Sequence, residues 1–160
     1  MLDDLAAQYL ASVEAGTAER KTTSGRPACL IARLLAEGRL TECQFMAGAR
    51  FREAHHKASR GTTTAHAWPK AMVGRLQPAY RTPDSAATLQ HRQAYQAMLG
   101  ALPPLLAVAA LAMIVYDRPP HEYGSRVFQY RNRDGAAAGG LVSLIHAMDL
   151  LAEQFPELVL

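Results

Sequence analysis

The residues best suited to chemistry lie between Tyr123 and Gly139, in the stretch YGSRVFQYRNRDGAAAG. Three arginines, an asparagine and three aromatic rings precede a run of alanine and glycine. Guanidinium groups donate paired hydrogen bonds to phosphate or guanine, asparagine and glutamine can pair with adenine, and aromatic rings stack on exposed bases. The stretch therefore predicts a nucleic-acid contact. Its candidate contact residues are Arg126, Gln129, Tyr130, Arg131, Asn132 and Arg133.

The same stretch also fits an ordinary solvated turn between two helices. Phe128 and Tyr130 would then anchor the turn in the core, and the small residues 135–140 would pack against a neighbouring helix. In the binding interpretation those small residues allow the sugar-phosphate chain to approach closely. Backbone amides at a helix N-terminus favour phosphate, which supports a contact where the last helix begins.

A second candidate surface follows from the distribution of charge. The net charge is +3, but the segment from Arg50 to Arg92 holds eight lysines and arginines against two acidic residues. Such asymmetry is typical of a polyanionic partner, although many basic runs are simply solvated. The candidate phosphate contacts here are Arg50, Lys57, Arg60, Lys70, Arg75 and Arg81.

Catalytic and metal-binding patterns are weak by comparison. His55 and His56 are adjacent, so on a helix they point in different directions and cannot form the i, i+4 pair of a zinc helix. They would bind a metal together with His66 only if the fold brought the three side chains together. Cys29 and Cys43 form no Cys-x-x-Cys motif and are expected to be reduced thiols. No nucleophile elbow or phosphate-binding loop is evident. We therefore predict no enzymatic activity, no cofactor and no metal site.

The elements that must position these residues are predicted to be helices, because alanine and leucine outnumber the β-branched residues. The expected fold is all-α, a compact multi-helix domain. Thr41 and Gln44 have the spacing of a capping box. The predicted helices cover 2–15, 27–38, 41–61, 82–100, 104–116, 121–130 and a final one capped by Asp134 and running to about Phe155, with an apolar stripe of Leu141, Leu144, Ile145, Met148, Leu151, Ala152 and Phe155.

The domain organisation follows from these helices. Residues 1–24 form an N-terminal helix, stopped by Gly16, and a polar linker; residues 25–160 form a single helical domain. That domain comprises a helical hairpin at 25–60, a basic loop at 61–81 pinned by Trp68, and a C-terminal unit at 82–160 whose last three helices have the order of a helix-turn-helix variant. The apolar run from Leu99 to Tyr116 is interrupted by prolines and is shorter than the ~20 residues that span a bilayer, so we predict a cytoplasmic protein without a membrane contact.

Three blocks of the sequence resemble a family. LIARLLAEGRLTECQFMAGARFREAHHKA, the single tryptophan that follows it and the terminal LVSLIHAMDLLAEQF are similar to a small alphaproteobacterial, prophage-associated helical domain family of unknown function. Members are sometimes fused to helix-turn-helix regulators, so the resemblance implies a regulatory or phage-related setting. It implies no catalytic residues. This chain departs from the family in lacking the upstream DNA-binding domain and in carrying YRNRDGAAAGG before the last helix.

The sequence thus predicts a transcription regulator, phage-like or prophage-derived, that binds DNA through the turn at 126–133. Two alternatives stay open: a non-enzymatic adaptor that docks on RNA polymerase or another regulatory protein, and a phage packaging or assembly component. A homodimer is compatible with each of them.

Overall fold

The protein is all-helical in residues 1–19, 29–59 and 86–159, which are those that the computed structural model describes, and no strand occurs among them. The all-α prediction is confirmed. The predicted basic loop at 61–81, with Trp68, lies outside the described residues. So do residues 20–28, which comprise the end of the predicted linker and the start of the predicted hairpin, and residues 82–85, where the next predicted helix begins. In chain order the helices are α1 (Leu2–Glu19), α2 (Leu30–Ala36), α3 (Glu42–Ser59), α4 (Ala86–Gly100), α5 (Pro104–Ala110), α6 (Pro120–Val127) and α7 (Arg133–Gln154).

Helix α7 forms the centre of the core, as its apolar stripe predicts. Leu144, Met148 and Leu151 are fully buried, and α7 packs against α3, α5 and α6. Burial of each such side chain stabilises the fold by about 1.5–3 kcal/mol before conformational entropy is subtracted. By length and composition α7 is also apolar enough to cross a membrane. Core helices of soluble proteins share that property, so a membrane protein is not indicated.

Helix α5 continues into a π-helical turn at Leu111–Val115, and together they fill the space between α1, α3 and α7. Pro104 occupies the first turn of α5, where its missing amide hydrogen costs nothing. The five residues of the π-helical turn are all buried. The predicted buried helix at 104–116 is therefore present, with a change of helical type in its second half.

Local sequence signals determine where α2 ends and where α3 begins. The Gln44 amide donates to the Thr41 hydroxyl (3.2 Å), and the Gln44 side chain accepts from the Thr41 amide (2.9 Å), so the capping box is confirmed. Gly38 ends α2 in the left-handed region, at φ 71°. There the Arg39 amide donates to the Leu34 carbonyl (2.9 Å), which closes a Schellman motif and turns the chain toward α3.

Helix α1 does not end at Gly16, contrary to expectation, but continues to Glu19. A side chain at Gly16 would lie 3.0 Å from a guanidinium nitrogen of Arg118, so the glycine makes room for that arginine instead of stopping the helix. Tyr9 and Val13 are buried as predicted, whereas Leu2 is exposed and Ala6 takes its place on the buried face. These residues belong to the same core as α5 and α6.

Asp117 connects three distant parts of the chain. Its carboxylate accepts two hydrogen bonds from Arg52 on α3, at 3.0 and 2.8 Å, and a third from the Leu30 amide at the start of α2, at 3.0 Å. Asp117 has φ 53°, a left-handed conformation that aspartate tolerates better than most residues. The sequence marks Asp117 as a helix breaker; the structure shows that it also caps α2.

A cluster of aromatic rings surrounds His55 on α3. The centroid of its ring lies 5.3 Å from that of Tyr95 and 6.1 Å from that of Tyr116, and its Nδ1 is buried with no hydrogen-bond partner among the described residues. Desolvation, followed by the charge of His56, lowers the pKa of His55 below its usual value. The folded state therefore favours the neutral imidazole.

This shift predicts that the free energy of unfolding decreases on acidification below about pH 6.5, the pKa of an unfolded histidine. Below that value the histidine of the unfolded chain binds a proton more readily than His55 of the folded protein does. The free energy of unfolding therefore has its full value above about pH 6.5 and decreases as the pH falls toward the pKa of His55 in the folded protein. The measurement is urea unfolding between about pH 5 and 8. His55→Phe should flatten the slope, whereas His91→Gln, at an exposed position on α4, should leave it unchanged. Equal slopes in parent and His55→Phe would contradict the assignment.

Candidate nucleic-acid interface

Helices α6 and α7 approach each other at the level of the backbone. A methyl group added at Gly124 would overlap the Ala136 carbonyl, and one added at Gly140 would overlap the Pro120 carbonyl. The two contacts are about one turn apart on each helix and run in opposite chain directions, so α6 and α7 form an antiparallel hairpin. A helix-turn-helix crosses at about 90–120°. The helix-turn-helix prediction is therefore not confirmed.

Helix α6 is held in place by its tyrosine. Tyr123 is fully buried, and its hydroxyl donates to the Leu105 carbonyl at 2.8 Å. Burial raises the pKa of Tyr123 to about 12, so the hydroxyl keeps its proton. This bond fixes α6 to α5 and thereby fixes where the turn after α6 begins.

The turn between α6 and α7 reverses the chain through Gln129. Gln129 has φ 58°, and the amides of Phe128 (3.1 Å) and Tyr130 (3.5 Å) both donate to the Gly124 carbonyl. A non-glycine residue in this region costs about 1–3 kcal/mol, which the surrounding contacts must offset. Gln129 is exposed, as a contact residue requires, and its backbone also shapes the turn.

Asn132, a predicted contact residue, is the N-cap of α7. Its side-chain oxygen accepts a hydrogen bond from the Asp134 amide at 3.0 Å. The prediction that Asp134 caps this helix is wrong by two residues: Asn132 has the extended backbone of a cap, at φ −85° and ψ 129°, and α7 has already begun at Arg133. The Asp134 carboxylate lies instead in the first turn, where it complements the helix dipole and reduces the attraction of an anion.

The three arginines of the turn are all exposed. Arg126 lies in the last turn of α6, and Arg131 and Arg133 lie immediately before and at the start of α7. Within residues 1–19, 29–59 and 86–159 their guanidinium groups form no ion pair or hydrogen bond. In contrast, Arg118 pairs with Glu122 at 3.9 Å and Arg52 pairs with Asp117 at 2.8 Å. The turn thus concentrates cationic groups that the described fold leaves available.

An open groove lies along the first turns of α7, and its lining residue Tyr130 directly precedes Arg131 in the chain. Its volume is about 490 Å³, and it is lined by Phe128, Tyr130, Gly135, Ala138, Gly139, Val142 and Ser143. Tyr130 is 48% exposed, and its ring lies at a centroid distance of 5.9 Å from Phe128, which is itself packed against the core. Sequence reasoning identified both rings but did not identify the groove.

The second predicted surface is largely paired where the structure describes it. Arg50 and Lys57 both bind Glu53, at 3.2 and 2.7 Å. The hydrogen bond from Lys57, followed by its charge and by Arg50, lowers the pKa of Glu53 and keeps it ionised. One carboxylate therefore offsets part of the charge of both cations. Arg60, Lys70, Arg75 and Arg81, the other members of this surface, lie outside the described residues.

Another groove, of about 400 Å³, lies along α3 and is lined in part by Cys29, Arg52, Glu53 and Lys57. Its cations are the ion-paired ones described above, so it offers no free charge to a ligand. Cys29 and Cys43 are free thiols. In the described part of the chain no group of three or more potential metal ligands comes together, and His66 lies outside that part.

Comparison with known proteins yields no match: no protein-family model, curated protein or solved structure is significantly similar to this chain. The family resemblance therefore stays a prediction.

Proposed function

We propose that the protein is a non-enzymatic regulator of transcription that binds DNA through the turn between α6 and α7. The observation that carries the proposal is the set of three exposed guanidinium groups, Arg126, Arg131 and Arg133, that have no ion pair among the described residues. Arginine without an intramolecular partner can bind phosphate without first breaking an internal bond. The amides of the first turn of α7 add a favourable dipole. This function requires no cofactor and places the protein in the cytoplasm.

The geometry supports a phosphate contact more directly than a base-reading contact. The side-chain oxygen of Asn132, which could otherwise pair with adenine, caps α7 instead. The exposed contact residues that stay available are then mainly the three arginines, together with Gln129. Phosphate contacts supply affinity and orientation but carry no sequence information. The primary binding mode that we propose is therefore electrostatic and sensitive to salt. The Arg50 and Lys57 surface contributes less, because Glu53 competes for both cations.

Binding to random-sequence duplex DNA at low and moderate salt tests this proposal. Each phosphate contact contributes a slope of about −0.9 to the plot of log affinity against log salt, so Arg131→Ala/Arg133→Ala should reduce the slope by about two. A matched control is Arg33→Ala/Arg39→Ala, which removes the same charge from exposed positions on and after α2. Fluorescence anisotropy of a labelled duplex provides the measurement.

A variant that should increase the affinity for DNA complements this test. Asp134→Asn removes the carboxylate from the first turn of α7 without changing the amide that Asn132 caps, and should strengthen binding about two- to fivefold. Absence of salt-sensitive binding by the parent to either duplex or single-stranded DNA would overturn the DNA proposal and favour the adaptor. Equal weakening by the two double variants would show that net charge, and not the turn, determines the affinity.

A further inference from the structure

The groove on α7 contains an exposed aromatic ring, Tyr130, whose neighbour in the chain is the exposed Arg131. Tyr130 lies at one side of the groove, and Val142, which is 65% exposed, lies on its α7 wall. Between them the wall consists of small residues, because Gly135, Ala138 and Gly139 leave the surface of the helix open. A flat apolar group can therefore lie along the helix and contact the tyrosine ring.

The charged residues next to Tyr130 in the chain indicate which kind of ligand would carry this flat apolar group. Arg131 follows Tyr130 directly, and Arg133 is the first residue of α7; neither has an ion pair among the described residues. An occupant must therefore combine planar apolar surface with repeated negative charge. A nucleobase with its flanking phosphates has this combination, and aromatic rings with a basic track are how proteins bind unpaired strands.

The packing of α7 argues against a duplex as the preferred form. A recognition helix presents its first turns to base edges in the major groove. Here α6 covers one side of those turns at Ala136 and Gly140, and the Tyr130 ring covers another at Gly139. The residues of those turns that stay exposed are Arg133, Asp134 and Ala138, and the Tyr130 ring and its groove lie beside them. A base can stack on the Tyr130 ring only when it is not stacked on its neighbours, as in a single strand.

We infer that this site binds single-stranded nucleic acid, with one unpaired base stacked on Tyr130 in the α7 groove and the flanking phosphates held by Arg126, Arg131 and Arg133. The inference rests on the proposed nucleic-acid function and specifies its ligand. Deoxyribose and ribose strands share the required chemistry. The stacking contact is independent of charge, so it can be tested separately from the phosphate contacts.

The experiment compares labelled oligo-dT, oligo-U and a duplex of matched length. The parent should bind a single strand more tightly than the duplex, and the oligo-dT and oligo-U arms show which sugar is preferred. Tyr130→Ala should weaken single-strand binding about 5- to 150-fold with an unchanged salt slope, because stacking carries no charge. Tyr130→Phe keeps the ring and should retain binding. Leu89→Ala, at an equally exposed apolar position on α4, is the control.

Gly139→Ala provides a second variant that keeps both the ring and the charges. Its methyl group would lie 2.7 Å from Cε2 of Tyr130, so the flexible ring must move and the groove becomes shallower. Single-strand affinity should fall while duplex affinity changes little. Equal binding of duplex and single strand, with no effect of Tyr130→Ala, would overturn this inference and leave DNA binding intact. Binding to none of the three oligonucleotides would overturn both proposals.

Discussion

Gly140→Ala is expected to destabilise the protein by about 3 kcal/mol, at the upper end of the usual cost of overpacking. The new methyl group would overlap the carbonyl of Pro120 on α6. Because the obstacle is backbone and not the end of a flexible side chain, relief requires that α6 move away from α7. Alanine is a better helix former than glycine by about 1 kcal/mol, which is too little to offset the overlap.

Gly124→Ala should produce a similar loss, because its methyl group would overlap the Ala136 carbonyl in the same hairpin. The matched control is Gly135→Ala on α7, where no atom lies within 4 Å of the added group. There the substitution should stabilise the helix by up to about 1 kcal/mol. Urea unfolding monitored by circular dichroism measures all three. If Gly140→Ala and Gly135→Ala had equal stabilities, the close antiparallel hairpin would be incorrect.

The hairpin also shows where sequence patterns stop being informative. The sequence predicts a short helix at 121–130 before the last helix, and both helices are present. The angle between the two helices depends on which of their faces can pack closely. One glycine on each helix, Gly124 and Gly140, allows this close packing, and the two lie sixteen positions apart along the chain. The two interpretations of the Ala/Gly run, helix packing and close approach of a ligand, apply to different glycines of the run. Gly140 faces a neighbouring helix, whereas Gly135 and Gly139 border open space or the Tyr130 ring.

Local signals predicted the fold well because they act within one turn of helix. The Thr41 and Gln44 capping box and the buried stripe of α7 are such signals, and both are confirmed. The cap of α7 was harder to predict, because asparagine at 132 and aspartate at 134 are both favourable caps. The choice between them depends on the turn through Gln129, which fixes where the helix can begin.

The candidate site was predictable in composition but not in its electrostatics. The sequence identifies every arginine, yet it does not show which ones bind a carboxylate that lies far away in the chain. Glu53 lies within four positions of Arg50 and Lys57, a spacing that predicts their pairing on a helix. The partner of Arg52 lies 65 positions away, so only the fold reveals it.

Asp117→Ala is expected to destabilise the protein by about 2 kcal/mol through its distant contacts. Loss of the bond to the Leu30 amide removes the cap of α2, worth about 0.5–2 kcal/mol. Loss of the Arg52 pair adds up to about 1 kcal/mol, since both side chains are partly exposed and water screens the interaction. Alanine also tolerates the left-handed backbone at 117 less well than aspartate does.

Asp117→Asn separates these contributions. Its side-chain oxygen can still accept from the Leu30 amide, and asparagine adopts a positive φ readily, so the cap of α2 is kept. The amide nitrogen that replaces the second carboxylate oxygen cannot accept a hydrogen bond, so the charge of the Arg52 pair and one of its two hydrogen bonds are lost. The expected cost is about 1 kcal/mol or less, and it should shrink at high salt. Urea unfolding of both variants, of Arg52→Ala, and of each Asp117 variant combined with Arg52→Ala gives the coupling between residues 52 and 117. If Asp117→Asn were as destabilising as Asp117→Ala, the ion pair would outweigh the helix cap, contrary to the energetics derived from the exposure of the pair.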